Sequence, residues 1–459
     1  MKFSKSYIIF VWLSAACILS GCGIHTRYSR PELDVNIDSL YRTPVAVSDT
    51  ATMASKPWRE LFTDSLLQNL IAKGLERNTE LGIAILQTEE AQAVLQNARL
   101  SNLPSANLTP QAGVSHYNGE TKGTYSIGVS ASWEADIFGR VSNAKLGASA
   151  SLEQSEAYAQ AVTTQLVATI AESYYTLLML DEQLAISKET LQNWNETITT
   201  LEALAQAGKT NDVAIHQACA SRTALNASML SISKSISETE NALCALLKEP
   251  GHTISRGTLH NQQFSDELSI GLPVSLLANR PDVRQAEAAL AEAFYATNTA
   301  RLAFYPTLSL SGTLGWTNSG GGSITNPGKW LSSAIASLTA PLFNKGTNIA
   351  NLKIAQARQK EATLRFEQSL LNAGNEVNDA LTEWQTANER ISFDNMQIAD
   401  LEAATEKTRL LVRYTSATYL EVLTAQQSLL NARLTLAQDR IAKIHAVVHL
   451  YHALGGGKE

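Results

Sequence analysis

The placement of proline limits this chain more than any other feature. Its 11 prolines leave two long tracts free, one between Pro110 and Pro250 and one after Pro341. Proline breaks a helix interior, because it lacks a donor and clashes with the preceding turn, so such tracts are where long helices can form. From Arg140 to Gln206 the chain is rich in Ala, Leu, Gln, Glu and Ser, and Leu177, Leu180, Leu184, Leu191, Trp194, Ile198 and Leu201 keep a 3-4 spacing. That spacing predicts a coiled-coil seam. A helix of about 66 residues would be about 100 Å long, far beyond the ~8–20 residues of a typical globular helix. The tract from Lys345 to Arg413 repeats the pattern, with Gly346 and Gly374 as its weak points. A set of shorter helices would need loop residues, and Gly, Pro and Asn-Gly are nearly missing from both tracts.

Each long helix is expected to stop at a short break and turn back. The breaks are Ala207-Gly208-Lys209-Thr210-Asn211-Asp212 and Tyr414-Thr415-Ser416-Ala417-Thr418-Tyr419, with return helices over 213–249 and 420–452. The two halves are copies of one unit. Asn97-Ala98-Arg99-Leu100 followed by Pro104 matches Thr299-Ala300-Arg301-Leu302 followed by Pro306. Phe138 matches Phe343, and the two breaks correspond at the same offset of roughly 205 residues, which marks a tandem duplication rather than a solenoid. The repeats are expected over 65–250 and 276–454, with 251–275 between them and an extended segment at 22–64.

Within each half the sequence changes character between the helical tracts. Tyr125, Ile127, Val129, Ala131 and Trp133 alternate with Ser126, Gly128, Ser130, Ser132 and Glu134. Leu308, Leu310, Leu314 and Trp316 alternate with Thr307, Ser309, Ser311 and Thr313, and Ala106, Leu108, Ala112 and Val114 do so with Asn107, Thr109, Gln111 and Ser115. Ala334, Ala336, Leu338, Ala340 and Leu342 form a weaker fourth case. A period of two puts each apolar set on one face of a strand. Strands are expected over 106–117, 124–134, 306–316 and 330–342, joined by connections at Asn118–Gly123 and Thr317–Lys329. Tyr117, Tyr125, Trp316 and Trp330 flank those connections as an aromatic girdle would. Apolar outside and small-polar inside is the pattern of a transmembrane barrel. Four strands cannot close around a pore, and open edges are not tolerated in lipid. Copies must therefore pool strands: two would give 8, three 12 and four 16. The fold class expected is an α+β membrane protein.

The start of the chain reads as targeting rather than fold. Lys2 and Lys5 precede an apolar run from Tyr7 to Leu19, which is too short to span a bilayer but has signal-peptide proportions. Leu19-Ser20-Gly21-Cys22 then resembles the site at which a lipoprotein peptidase cuts, making residues 1–21 the signal and Cys22 the lipidated (diacylglyceryl, palmitate) first residue. Gly23 permits sorting to an outer membrane. No later run approaches 18 apolar residues, so no transmembrane helix is expected. The 36 basic and 43 acidic residues give a net charge of −7 without a basic stripe, which argues against nucleic acid as a partner. Cys219 and Cys244, 25 residues apart on one expected helix, would sit about 37 Å apart, so they are read as free thiols. His445, His449 and His452 share a helix face whose spacing can bind metal, but the stretch reads HAVVH without the protease glutamate, and polar helix surface is the expectation. No phosphate loop or nucleophile elbow occurs, so neither catalysis nor a cofactor is expected.

Several runs resemble the TolC-like outer-membrane efflux factors, in particular the lipoprotein branch that partners resistance–nodulation–division pumps. They are Leu276–Glu287 (LLANRPDVRQAE), Trp133–Arg140 (WEADIFGR), Pro341-Leu342-Phe343, and Arg413-Tyr414 with Tyr419–Gln426 (YLEVLTAQ). The resemblance spans Trp58 to Leu454. It implies a homotrimer with a 12-stranded barrel continued by a long α-helical coiled-coil tunnel in the periplasm. It also implies that the periplasmic tips dock on an adaptor protein and open from a closed state. The tips map to Gly208, Lys209, Thr210, Asn211 and Asp212, and to Thr415, Ser416 and Thr418, where the family often carries glycine. Arg409, Arg413, Tyr414, Tyr419 and Glu421 are the candidate gate, because charged and aromatic side chains repeated by symmetry form rings. The function implied is a passive exit duct for small molecules, driven by an inner-membrane pump through the adaptor. A periplasm-spanning structural lipoprotein would have no use for alternating strands. A duct for protein secretion or metal export stays in the same class.

Overall fold

A computed structural model describes residues 26–32, 36–42, 53, 56–208, 210–262, 279–317, 329–414 and 419–457. After a single helical turn at Trp58–Leu61, the helices are α1 (Ser65–Arg77) and α2 (Thr79–Leu100). Strands β1 (Ser105–Tyr117) and β2 (Glu120–Ala135) follow, then α3 (Arg140–Gln206) and α4 (Asp212–Leu246). The second half repeats the order: α5 (Pro281–Leu302), β3 (Thr307–Thr317), β4 (Lys329–Thr339), α6 (Thr347–Tyr414) and α7 (Tyr419–Ala453).

Local chemistry sets the ends of these elements. The Asp64 carboxylate caps α1 by accepting from Leu66 N at 2.9 Å. Asp136 accepts from Val141 N and Ser142 N at the start of α3. The β1–β2 connection is tighter than a six-residue loop: Asn118 and Gly119, at φ 54° and 84°, make a two-residue turn and β2 begins at Glu120. Asn-Gly accepts positive φ at both positions, which matches the twist of the flanking strands. β4 stops at Thr339 rather than 342, because Pro341 has no N–H for a ladder and restricts the residue before it. α6 starts at Thr347 because Lys345 and Gly346 have φ of 46° and 79°. α4 ends at Leu246, two residues before Lys248 turns at φ 56°.

The four strands form one antiparallel sheet in the order β1-β2-β3-β4. The two halves meet directly in it, since β2 pairs with β3. Register partners share a face, so Leu108, Val129, Leu314 and Ser332 stand in one row, with Pro110, Ile127, Trp316 and Trp330 above. The opposite face carries Asn107, Ser130, Thr313 and Ser333 in one row and Ser105, Ser132, Ser311 and Ile335 in the next.

The chain divides into two compact units, each drawing on both sequence halves. One holds the sheet, with Leu86–Glu156 and Gln285–Glu367. In it Tyr28 packs on Phe294 at 5.8 Å, and Arg30 pairs with Glu287 at 2.7 Å, so the early segment lies along α5. The other holds Val35–Ile85, Ala157–Arg284 and Gln368–Glu459. Its core contains Trp58, Phe62, Leu67, Ile71, Ile170, Tyr174 and Tyr175, all almost wholly buried. Of the seam positions, Leu177, Leu180, Trp194, Ile198 and Leu201 are buried. Between them Gln183, Ser187 and Thr190 are buried too, and the Ser187 and Thr190 hydroxyls donate to carbonyls four residues back, at 2.7 and 2.9 Å. The seam thus turns polar midway with the Ser187 and Thr190 hydroxyls satisfied within their own helix.

Candidate surfaces for export: the sheet and the hairpin ends

The sheet has an apolar face with little to cover it. Leu108, Val114, Leu314 and Leu338 are more than half exposed, and Trp316 stacks obliquely on Trp330 at 4.5 Å. Both outer strands, β1 and β4, pair on one side alone among the described residues. The polar face is lined with hydroxyls. Many of them turn back on the sheet: Thr109 donates to Gly128 O, Ser130 to Asn107 O, Ser309 to Ser337 O and Thr317 to Tyr125 O, at 3.3–3.4 Å. At the helical end of β2, Glu134 is paired with Arg140 through two guanidinium bonds.

At the first hairpin end, Gly208 takes φ 69°, and the Asn211 carboxamide caps α4 by accepting from Ala214 N at 3.4 Å. Asp212 opens α4, where the helix dipole favours an acid. Thr210 is half-buried, and Lys209 lies outside the described residues. At the second end, Tyr419 opens α7 and packs on the cluster of Trp194, Ile198, Leu201, Ala218, Leu225, Leu423 and Leu430. One core therefore holds the end of α3 and the starts of α4 and α7. Arg409 and Glu421 are exposed. Arg413 and Tyr414 belong to the last turn of α6, but their side chains, with Thr415, Ser416 and Thr418, lie outside what is described. Cys22 does as well.

Of the three histidines, each meets a different environment. His445 places Nε2 3.2 Å from Glu172 O, and burial holds its pKa below the usual value. His449 sits between Glu172 and Glu383, at 3.2 and 3.1 Å. The Glu172 hydrogen bond, against burial and with help from Glu383, pushes its pKa up to about 9. It is therefore an imidazolium that joins α3, α6 and α7. His452 lines a cavity of about 360 Å³ with Arg280, Asp282 and Glu376. No group of three or more metal-ligating side chains with suitable geometry occurs among the described residues.

Sequence reasoning missed the charged nodes. Arg280, with its side chain 4% exposed, bonds both Asp282 oxygens, Glu376 and the Ala453 carbonyl. Burial opposes the Asp282 carboxylate, but the Arg280 hydrogen bond and charge outweigh it and hold its pKa low. Arg256 likewise bridges Asp181 of α3 and Glu240 of α4, and Arg433 bridges Glu189 and Glu402. Only the Arg280–Asp282 pair is local enough in sequence to have been suspected.

A family model described as "Outer membrane efflux protein" matches residues 70–248 and 272–456. The cation efflux system protein CusC of Escherichia coli strain K12 is 31% identical over 452 residues, covering 96% of this chain and 98% of the relative. The probable outer membrane lipoprotein SilC of Salmonella typhimurium is 28% identical, covering 97% and 98%. Among solved structures, CusC superposes with a TM-score of 0.85 at 30% identity over 94% of this chain and 99% of the other. The open state of the Neisseria gonorrhoeae MtrE outer membrane channel gives 0.86 at 27% identity, over 95% and 98%.

Proposed function

This chain belongs to the outer membrane efflux protein family, and from that premise we propose that three copies close their sheets into one 12-stranded barrel. It is an outer-membrane efflux channel, and the assembly is what its single sheet lacks. The observation that carries the proposal is the sheet itself: an exposed apolar face, a hydroxyl-lined opposite face, and two outer strands each paired once. Unpaired N–H and C=O groups cost several kcal/mol each in hydrocarbon, so β1 of one copy pairs with β4 of the next until the ring closes. Three copies give the smallest closed ring with an open interior, since 8 strands are filled by their own side chains.

In this reading the duct is passive. An inner-membrane pump of the resistance–nodulation–division type supplies the energy, and a periplasmic adaptor meets the hairpin ends at Gly208–Asp212 and Thr415–Thr418. Lipid on Cys22 anchors the mature chain. Arg409, Arg413, Tyr414, Tyr419 and Glu421 form the constriction, repeated once per copy. Replacing Arg413 or Tyr414 by alanine is expected to raise single-channel conductance in planar bilayers; unchanged conductance in both would remove them from the gate.

For cargo, small toxic molecules are the first reading. Export of cations is the second, favoured by the relative named for cation efflux, at 31% identity, over the solvent efflux pump protein SrpC of Pseudomonas putida, at 28%. Deleting the gene and scoring sensitivity to metal salts against solvents and antibiotics, with complementation, separates the two.

A further inference from the structure

The four strands hold their charges at the ends. Glu120, Lys122 and Lys329 lie at the hairpin end, and Glu134 lies at the helical end, bound to Arg140. Between them the polar face presents only Ser, Thr, Asn, Gln and Gly, broken by Leu331 and Ile335 on β4. Several of the hydroxyls there are engaged within the sheet. Ser105 and Ser132 bond each other at 2.8 Å, Thr124 donates to Gly113 O at 3.2 Å, and Thr109, Ser130 and Ser309 reach cross-strand carbonyls. A hydroxyl whose proton is engaged within the sheet turns an uncharged oxygen outward.

We propose that this wall carries ions and solutes of either sign without preference and without holding them, so that any discrimination by charge is made outside the sheet. The proposal rests on the reading that the polar face lines the passage. A passage lined by one sign of charge changes the local concentration of a charged solute by about tenfold or more. The central rows have no such lining. The nearest charges along the strands, Lys329 and the Arg140-paired Glu134, are each four residues from the row of Ser130, Thr313 and Ser333, or about 13 Å. At ~0.15 M salt the screening length is about 8 Å, so the rim does not reach the middle.

The test places a thiol on the wall of the full-length lipoprotein in intact cells. Ser130→Cys and Thr313→Cys probe the polar face; their neighbours Val129→Cys and Leu314→Cys probe the apolar face. Each is treated from outside with a cationic trimethylammonioethyl and an anionic sulfonatoethyl methanethiosulfonate, with the unsubstituted chain as background for Cys219 and Cys244. The ratio of the two rates is divided by the same ratio for a small thiol in solution. Both polar-face variants should react, with a normalised ratio within about fivefold of one, and the apolar-face pair should be protected from both reagents. A ratio beyond that bound in either direction overturns the charge-neutral wall while leaving the barrel intact. Protection of the polar-face thiols with labelling of their neighbours overturns the orientation of the sheet, and the proposal with it.

Discussion

Two adjacent residues of β3 separate the lipid-facing reading from every soluble one. Leu314 stands on the apolar face beside Val129 and Ser332 and is 55% exposed; Thr313 stands on the opposite face beside Ser130 and Ser333. An arginine on the lipid face of a transmembrane barrel costs about 2–4 kcal/mol at mid-depth, whereas the inner face meets water and tolerates it. Leu314 lies two residues, about 7 Å, from the strand centre, which points to the lower end, about 2 kcal/mol per copy. In the proposed trimer that becomes about 6 kcal/mol, a factor on the order of 10⁴ in the assembly equilibrium. The assay is the amount of heat-modifiable oligomer in outer membranes. Thr313→Arg should match the parent, and Leu314→Arg should show almost no folded oligomer. Equal tolerance of both, or loss of Thr313→Arg alone, would refute the assignment of faces.

Further expectations concern the helical unit. Arg280→Met strips a buried guanidinium from Asp282, Glu376 and the Ala453 carbonyl. Because both carboxylates are nearly half exposed, the loss should fall near or below the low end of the buried-pair range, about 2–3 kcal/mol, with Arg280→Lys in between, read as the thermal midpoint of purified protein. His449 is held above its unfolded pKa of about 6.5, so its contribution is complete below that pH and disappears as pH rises through about 9. The parent should therefore lose midpoint across that window relative to His449→Gln, and parallel profiles would sink the ion-pair account. Gly455 has φ 84° and a Cβ there would meet Asn279 O at 2.5 Å, so Gly455→Ala should cost more than about 1 kcal/mol of stability, seen as a lower midpoint. By contrast Gly82→Ala, in open space on α2, should add about 1 kcal/mol of stability and raise the midpoint.

What was legible in the sequence is what short-range chemistry writes there. Two proline-free tracts placed α3 and α6, and alternation placed all four strands on their correct faces. Even the weak fourth strand held its face, because Ala334, Ala336 and Leu338 pair with Gly312, Leu310 and Leu308. The turn at Asn118-Gly119 could have been read more tightly, since positive φ at both residues was encoded in the dipeptide. The charged nodes were not legible: Arg256 meets residues 75 and 16 positions away, and His449 meets Glu172 across 277. Such pairings depend on which helix faces adjoin, and periodicity gives a face without its neighbour. The hairpin ends show the same limit. Asn211 is a recognisable cap, whereas the seating of Tyr419 on residues of α3 and α4 follows from packing alone.

The most direct test of the channel assignment is the mass of the detergent-purified lipoprotein measured together with its conductance in planar bilayers. Closure of four-stranded sheets predicts a particle of three chains that opens rarely and with small amplitude until its hairpin ends are altered. A monomer, or an oligomer that never conducts, would contradict it and leave the long helices as a scaffold without a pore.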